Sequence, residues 1–212
     1  MRQTDLMKKT KCIGITGGVG SGKSAVLDYI KGKTRCRAFY SDDEAKKLYI
    51  QGIPVFDKII QAAGEDVLTA DGKLDKERFA ARIFDDKGLL DKINSIVHPA
   101  MQGIILDEMA YERAEGKRDL FFVEAALLIE CGYEALLDEI WYVYAPEDVR
   151  RRRLKENRDY SDEKISAVFA SQLSDEEYRK HCKRVIDNGG TMEAMRASVD
   201  SVLKEFEDIT VG

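Results

Sequence analysis

Residues 17–24, Gly-Gly-Val-Gly-Ser-Gly-Lys-Ser, form a complete G-x-x-x-x-G-K-[ST] phosphate-loop motif. No other stretch narrows the choice of fold so far, because the motif has its chemistry only when a strand enters it and a helix leaves it. Glycines let successive backbone N–H groups turn inward as a nest for phosphate oxygens, free of Cβ clashes. The helix that starts there aims its positive dipole end at the same oxygens. In such a loop Gly18, Val19, Gly20, Ser21 and Gly22 surround the phosphates, Lys23 reaches the β- and γ-phosphates, and the Ser24 hydroxyl ligates Mg²⁺. The flanks agree. Lys11–Thr16 is a short apolar strand, and Lys23–Lys31 carries Val26, Leu27 and Ile30 on one helical face. The motif predicts a site for ATP or GTP.

Further alternation follows. Arg35–Tyr40 is a strand candidate and Asp42–Tyr49 a helix. Asp119–Ala126 and Glu139–Ala145 are dense in aromatic and β-branched residues, as strands are. Val185–Asp187 ends in the turn signal Asn188-Gly189-Gly190, and Met192–Phe206 closes as an amphipathic helix. Strands alternating with helices predict a parallel sheet covered on both faces. Residues 54–116 break the rhythm with helical periodicity alone (Val55, Phe56, Ile59, Ile60; Phe79, Ile83; Leu89, Leu90, Ile93, Ile96, Val97). They read as a helical lobe inserted into an α/β core made of 11–53, 117–145 and 183–208, with a lid and its following helices at 146–182.

Composition removes other classes. With 44% hydrophobic and 34% charged residues the chain is neither disordered nor a membrane protein, and its longest apolar run, Leu120–Ile129, is interrupted by Glu124. A net charge of −5 argues against nucleic acid as a partner. Cys12, Cys36, Cys131 and Cys182 have no C-x-x-C spacing, so they are expected as free, small buried hydrophobes in a reducing compartment. Met1–Thr10 is polar, without a signal-peptide apolar region, and the expected compartment is the cytoplasm.

The fate of the phosphate has to be read elsewhere. There is no Asn-Lys-x-Asp for guanine, and Phe121-Phe122-Val123 ends in Glu124-Ala125 rather than the Asp-Glu of a mechanical ATPase. A small-acceptor kinase needs a lobe and a lid, and this chain has helices for both. Asp42, 19 positions after Lys23 and just past the second strand, is a candidate general base. In a sheet built from adjacent strands its carboxylate falls beside the phosphate loop. Ser41-Asp42-Asp43-Glu44 reads equally well as a helix capping box. Arg150–Arg153 and Arg158 follow the fourth strand, and Arg150 and Arg153 share a helical face suited to a triphosphate. His98, before Pro99, reads as a turn residue, and Tyr111, Trp141 and Phe169 as core.

Together these residues resemble the dephospho-CoA kinase family over nearly the whole chain, from Ile13 to about Gly190. Residues 16–24 are similar to that family's phosphate loop, and Asp42 falls where the family has its catalytic acid. Asp71–Asp75, Ile83-Phe84 and Val97-His98-Pro99 resemble its helical acceptor lobe in order and spacing. Leu127-Leu128-Ile129-Glu130 resembles its acceptor-side loop, Arg153 with Arg158-Asp159 its lid, and Gln172 and Ile186–Gly189 its closing motifs. Three positions depart: Tyr40 and Glu124 stand where the family commonly has Asp, and Ala126 where it has Pro.

The resemblance implies a three-layer P-loop NTPase core with a five-stranded parallel sheet, an acceptor lobe and a lid. It implies ATP-dependent phosphorylation of the ribose 3′-hydroxyl of dephospho-CoA, with Mg²⁺. Asp42, Lys23 and Arg153 are then the catalytic residues. Gly18–Ser24, Arg153, Arg158, Asn188 and Gly189 hold ATP; Asp42, His98, Leu127, Leu128 and Glu130 hold the acceptor; Ser24, with Glu124 as a second candidate, holds the metal. The expected state is a monomer or weak homo-oligomer with no membrane or nucleic-acid partner. The alternatives are a nucleoside monophosphate kinase, which shares the plan, and an ATP-dependent switch protein.

Overall fold

The computed structural model describes residues 10–210, so the expectation for the N-terminal decapeptide lies almost wholly outside it. Among the described residues, β1 (Lys11–Thr16), β2 (Cys36–Tyr40), β3 (Leu120–Glu124), β4 (Glu139–Tyr144) and β5 (Arg184–Asp187) form one parallel sheet in the order β2-β3-β1-β4-β5. Two adjoining inner strands are its most buried. All of β3 is buried, as is all of β1 after Lys11. A strand buried on both faces lacks in/out alternation and belongs in the middle of a covered parallel sheet.

That order corrects one expectation. β2 is not β1's neighbour, because β3 pairs with β1 from Lys11↔Leu120 to Ile15↔Glu124 and so separates the two. The carboxylate that sheet order sets next to the phosphate loop is therefore Glu124, at the C-terminal end of β3.

The chain divides into two compact units, one made of the residues up to Phe39 with those from Met109 onward, the other of Tyr40–Glu108. In the first, α1 (Lys23–Lys31) buries Val26, Leu27 and Ile30. The closing helix α9 (Met192–Thr210) runs past the expected end at Phe206 and buries Met195, Val199, Val202, Leu203 and Phe206, a stripe of helical period. Phe122, Trp141 and Phe206 meet edge to face, with centroids 5.4 and 5.6 Å apart, which ties β3, β4 and α9 together. α6 (Glu147–Arg158), α7 (Asp162–Ala170) and α8 (Asp175–His181) follow β4. Each of α7 and α8 starts at a serine whose hydroxyl accepts an N-terminal amide.

The second unit is helical: α2 (Ser41–Lys47), α3 (Pro54–Ala63), α4 (Lys76–Asp85) and most of α5 (Lys87–Glu115). Phe56, Ile59, Ile60, Val67, Phe79, Ile93 and Val97 are buried there. Asp75 caps α4 by accepting from the Glu77 and Arg78 amides, both at 3.1 Å. An isolated antiparallel bridge, Leu68↔Leu74, closes a turn over Asp71 and Gly72.

Several local readings change. Ser41 is inside α2 rather than its cap: the cap is Tyr40, no side chain caps the helix, and the Ser41 hydroxyl is buried without a partner. His98-Pro99 is not a turn but lies within the 29 residues of α5. Proline there removes the amide that the Ser95 carbonyl would have received, which helical periodicity on both sides evidently outweighs. Trp141 is fully buried as expected; Tyr111 is 55% exposed, and Phe169 is half-buried. Of the four free cysteines only Cys12 and Cys182 are buried. Burial pushes the Cys182 thiol up to about 12, so it stays protonated.

Candidate phosphate-transfer site

The phosphate loop is built from backbone geometry. Gly22 caps α1 at φ 88°, a left-handed conformation that side chains avoid, and a Cβ on it would overlap the Asn188 amide. Gly17 sits at φ 145°, and a Cβ there would strike the Val143 carbonyl. α1 begins with no side-chain cap and no acid in its first turn. Its N-terminal amides are left for an external anion. The turn is closed by the Ser21 amide donating to the Gly18 carbonyl at 3.0 Å.

Two residues far away in sequence support the loop from below. The Asn188 side-chain amide donates to the Ser21 carbonyl at 2.7 Å, in a buried bond. Arg153 donates to the Asn188 carbonyl at 2.9 Å and, at 3.3 and 3.4 Å, to the Ser21 and Gly20 carbonyls. Burial, and secondarily the neighbouring charge of Arg152, press the Arg153 pKa below the ordinary guanidinium value. These bonds take up the carbonyls of Gly20 and Ser21. Gly189 adjoins this support, its amide donating to Asp187 at 2.7 Å.

At the end of the loop, Lys23 Nζ donates to the Gly17 carbonyl at 2.9 Å and lies 3.5 Å from Glu124 Oε1, both side chains 11% exposed. A buried ammonium needs this carboxylate. The Ser24 side chain is exposed at the start of α1. Among the described residues no group of three His, Cys, Asp or Glu could hold a metal by itself. Mg²⁺ takes one or two protein ligands and completes its shell with phosphate oxygens and water. Ser24 and Glu124 are the residues here that could supply such ligands.

Arg150 lies along the loop's other side. A Cβ on Gly18 would overlap its guanidinium, so the glycine permits this approach. Phe169 stacks beneath it, 4.3 Å from guanidinium carbon to ring centroid. Gln172 Oε1 accepts from the Val19 amide at 3.2 Å and from Arg150 at 3.4 Å.

The expected ATP residues Gly18–Ser24, Arg153, Asn188 and Gly189 thus come together in one unit, with Glu124 beside them; Arg158 is exposed at the end of α6. Of the expected acceptor residues, Leu128 is fully buried in the core, Leu127 is 46% exposed and Glu130 is exposed. Asp42 and His98 belong to the helical unit. His98 is half-buried on α5. Asp42 is exposed in the first turn of α2; its neighbours Asp43 and Glu44 are held by Lys46 and Lys47, each at 2.7 Å. No bond or ion pair among the described residues engages Asp42 in that way.

Sequence spacing gives Arg150 only a face shared with Arg153, and Gln172 enters only through the family resemblance. The i, i+3 spacing was the available signal for the arginine. For the glutamine no local pattern could supply it, since its partner Val19 is 153 positions away.

A strand feeding a glycine-built anion nest, a lysine at the nest's end and arginines from the helix after β4 laid upon it are what a P-loop kinase requires. Shikimate kinase from Acinetobacter baumannii has this fold, with a TM-score of 0.56 at 13% identity over 98% of each chain. A narrower likeness runs along the whole sequence. The family model for dephospho-CoA kinase matches residues 11–194. Dephospho-CoA kinase of Salinibacter ruber is 36% identical over 87% of this chain and 92% of its own length, and that of Corynebacterium diphtheriae is 34% identical over 92% and 97%. A crystal structure from Thermus thermophilus superposes with a TM-score of 0.77 at 27% identity, covering 93% of this chain and 98% of that one. The chain belongs to the dephospho-CoA kinase family, and it is an ATP-dependent phosphotransferase acting on a small molecule.

Proposed function

We propose that the chain transfers the γ-phosphoryl group of ATP to the 3′-hydroxyl of the ribose of dephospho-CoA, giving CoA and ADP. The observation that carries this reading is the Lys23 loop with Arg150 and Arg153 against it, in a chain that matches the family over residues 11–194. Loop amides and the α1 N-terminus bind the phosphates, and Lys23 neutralises charge at the β- and γ-oxygens. Ser24 and Glu124 hold Mg²⁺, which when bound offsets charge on the nucleotide. Asp42, exposed and free of the pairing that holds Asp43 and Glu44, orients the acceptor hydroxyl and takes its proton. Arg153 and Arg158 serve the transferring group. Residues 54–116, with His98, form the acceptor lobe, and Leu127 and Glu130 also contact the acceptor, Leu128 acting as the buried anchor of their loop. Residues 146–182 supply the lid and the helices that follow it. The protein works in the cytoplasm as a monomer or weak homo-oligomer, without nucleic acid or membrane.

The test of the base is Asp42→Asn, which keeps shape and removes proton affinity. Turnover is expected to fall by about 10²–10⁴, with MgATP binding unchanged. Full turnover in that variant would sink the assignment.

A further inference from the structure

Gln172 follows α7, and its side chain ends on the phosphate loop. The two groups that meet its Oε1 are both donors, the Val19 backbone N–H at 3.2 Å and an Arg150 guanidinium N–H at 3.4 Å. Only an oxygen can sit between two donors, which settles which end of the amide faces the loop. A phosphate oxygen in this nest would accept from the same kinds of group: a loop amide and a cation. The surroundings hold the arrangement in place. Phe169 stacks under Arg150 at 4.3 Å, the Cβ-free Gly18 lets the guanidinium lie on the backbone, and the Arg150 Nε is buried without a partner. Gln172 is itself half-buried.

We propose that Gln172 is a positioning residue that acts as a stand-in for a phosphate oxygen. Its amide carbonyl occupies the Val19 amide and the Arg150 guanidinium in the free protein, as a phosphate oxygen would, and it gives way when a nucleotide enters. This rests on the ATP reading of the loop. Two donors brought together without an acceptor would leave a desolvated amide beside a cation. A neutral amide oxygen satisfies both, yet it is a weaker acceptor than an anionic phosphate oxygen, whose charge-assisted bonds are roughly twice as strong. The exchange therefore favours the nucleotide, and the same contact slightly opposes binding.

The chemistry of position 172 then sets opposite signs for two substitutions. Gln172→Leu keeps the bulk and removes the acceptor, so the competition is lost. MgATP and MgADP should bind about three- to tenfold more tightly, the worth of one or two ordinary hydrogen bonds. Gln172→Glu puts a carboxylate between the donors and competes as an anion. Nucleotide should bind about tenfold or more weakly, with the loss relieved as the pH is lowered to protonate the carboxylate. Inorganic tripolyphosphate, which has no base or ribose, should rank the three proteins in the same order.

Direct titration of wild type, Gln172→Leu and Gln172→Glu with MgATP and with tripolyphosphate tests this, with circular dichroism confirming the fold of each. Opposite shifts in the two variants support the stand-in. Two shifts of the same sign, or none, with wild-type binding intact, overturn it while leaving the kinase reading untouched. Wild-type protein that binds neither ligand overturns the kinase reading and the stand-in together. If a variant fails to fold, Gln172→Met and Gln172→Asp carry the same opposed prediction.

Discussion

At the scale of single residues, the site depends on how carbonyls as well as amides are disposed of. A nest of N–H groups serves phosphate only if the alternating C=O groups are turned elsewhere and satisfied. Asn188 and Arg153 do this for Ser21 and Gly20. Asn188 therefore supports the loop from beneath, since its side-chain amide is used on the Ser21 carbonyl. Asn188→Ala leaves that buried carbonyl without its main donor, at a cost of about 1–3 kcal/mol. The expected result is a lower Tm and a raised KM for ATP, with the KM for the acceptor little changed. An unaltered KM for ATP would show that the loop holds its shape without this bond. Glu124, paired with Lys23, makes the buried ammonium tolerable, and in the proposed reaction it would share Mg²⁺ with Ser24.

At the scale of elements, a buried carboxylate binds together pieces distant in sequence. Glu112, on α5, has no exposed side-chain surface and receives Arg37 of β2 at 2.9 Å and Arg118 at 2.9 Å; the Thr10 hydroxyl donates to its backbone carbonyl. Burial pushes the Glu112 pKa up, but hydrogen bonds and charge from the two arginines outweigh it and hold the carboxyl below its ordinary value of 4.5. Glu139 behaves alike, with burial opposed by Trp141 and Arg184. A carboxyl whose folded pKa is depressed binds its proton more readily when unfolded. Its stabilisation is therefore complete above the unfolded value near 4.5 and is lost as the pH falls through the folded value. The Tm should be flat near neutrality and drop once the pH passes below about 4.5. Glu112→Gln should lower stability at pH 7 by about 1–3 kcal/mol, less than the roughly 3–5 kcal/mol of a fully buried broken pair because both arginines are about a third exposed. It should also make the acid limb shallower. Acid limbs that superimpose for variant and wild type would contradict the assignment.

Elements also mark where the sequence was legible. Strand β1, the loop and α1 were readable because their determinants are local: apolar strand, glycines, then helical period. The five strands and the helical character of 54–116 were readable for the same reason. Sheet order was not, because a parallel pairing such as Ile15↔Glu124 joins residues more than a hundred positions apart and leaves no trace in either segment. The Ser41 capping box failed because a serine followed by acids has the pattern of a cap wherever the helix starts, and the chain entered α2 one residue early. His98 was misread because proline inside a helix is costly, yet α5 carries apolar positions on both sides of it that pay that cost in packing.

At the scale of the molecule, one compact unit carries the loop, Lys23, Glu124 and the arginines, and the other carries Asp42 and His98. The proposed reaction needs little covalent chemistry from the protein, since positioning and charge neutralisation supply most of the acceleration in phosphoryl transfer. Specificity for the acceptor is then what separates this chain from other kinases on the same plan. The most direct measurement is ADP release from MgATP with dephospho-CoA, run beside AMP, CMP and dTMP. Turnover with dephospho-CoA, and at most traces with the other three, is the result expected. Preferred turnover with a nucleoside monophosphate would keep the loop and its arginines and contradict the acceptor, and ATP hydrolysis indifferent to all four would contradict phosphoryl transfer to a small molecule altogether.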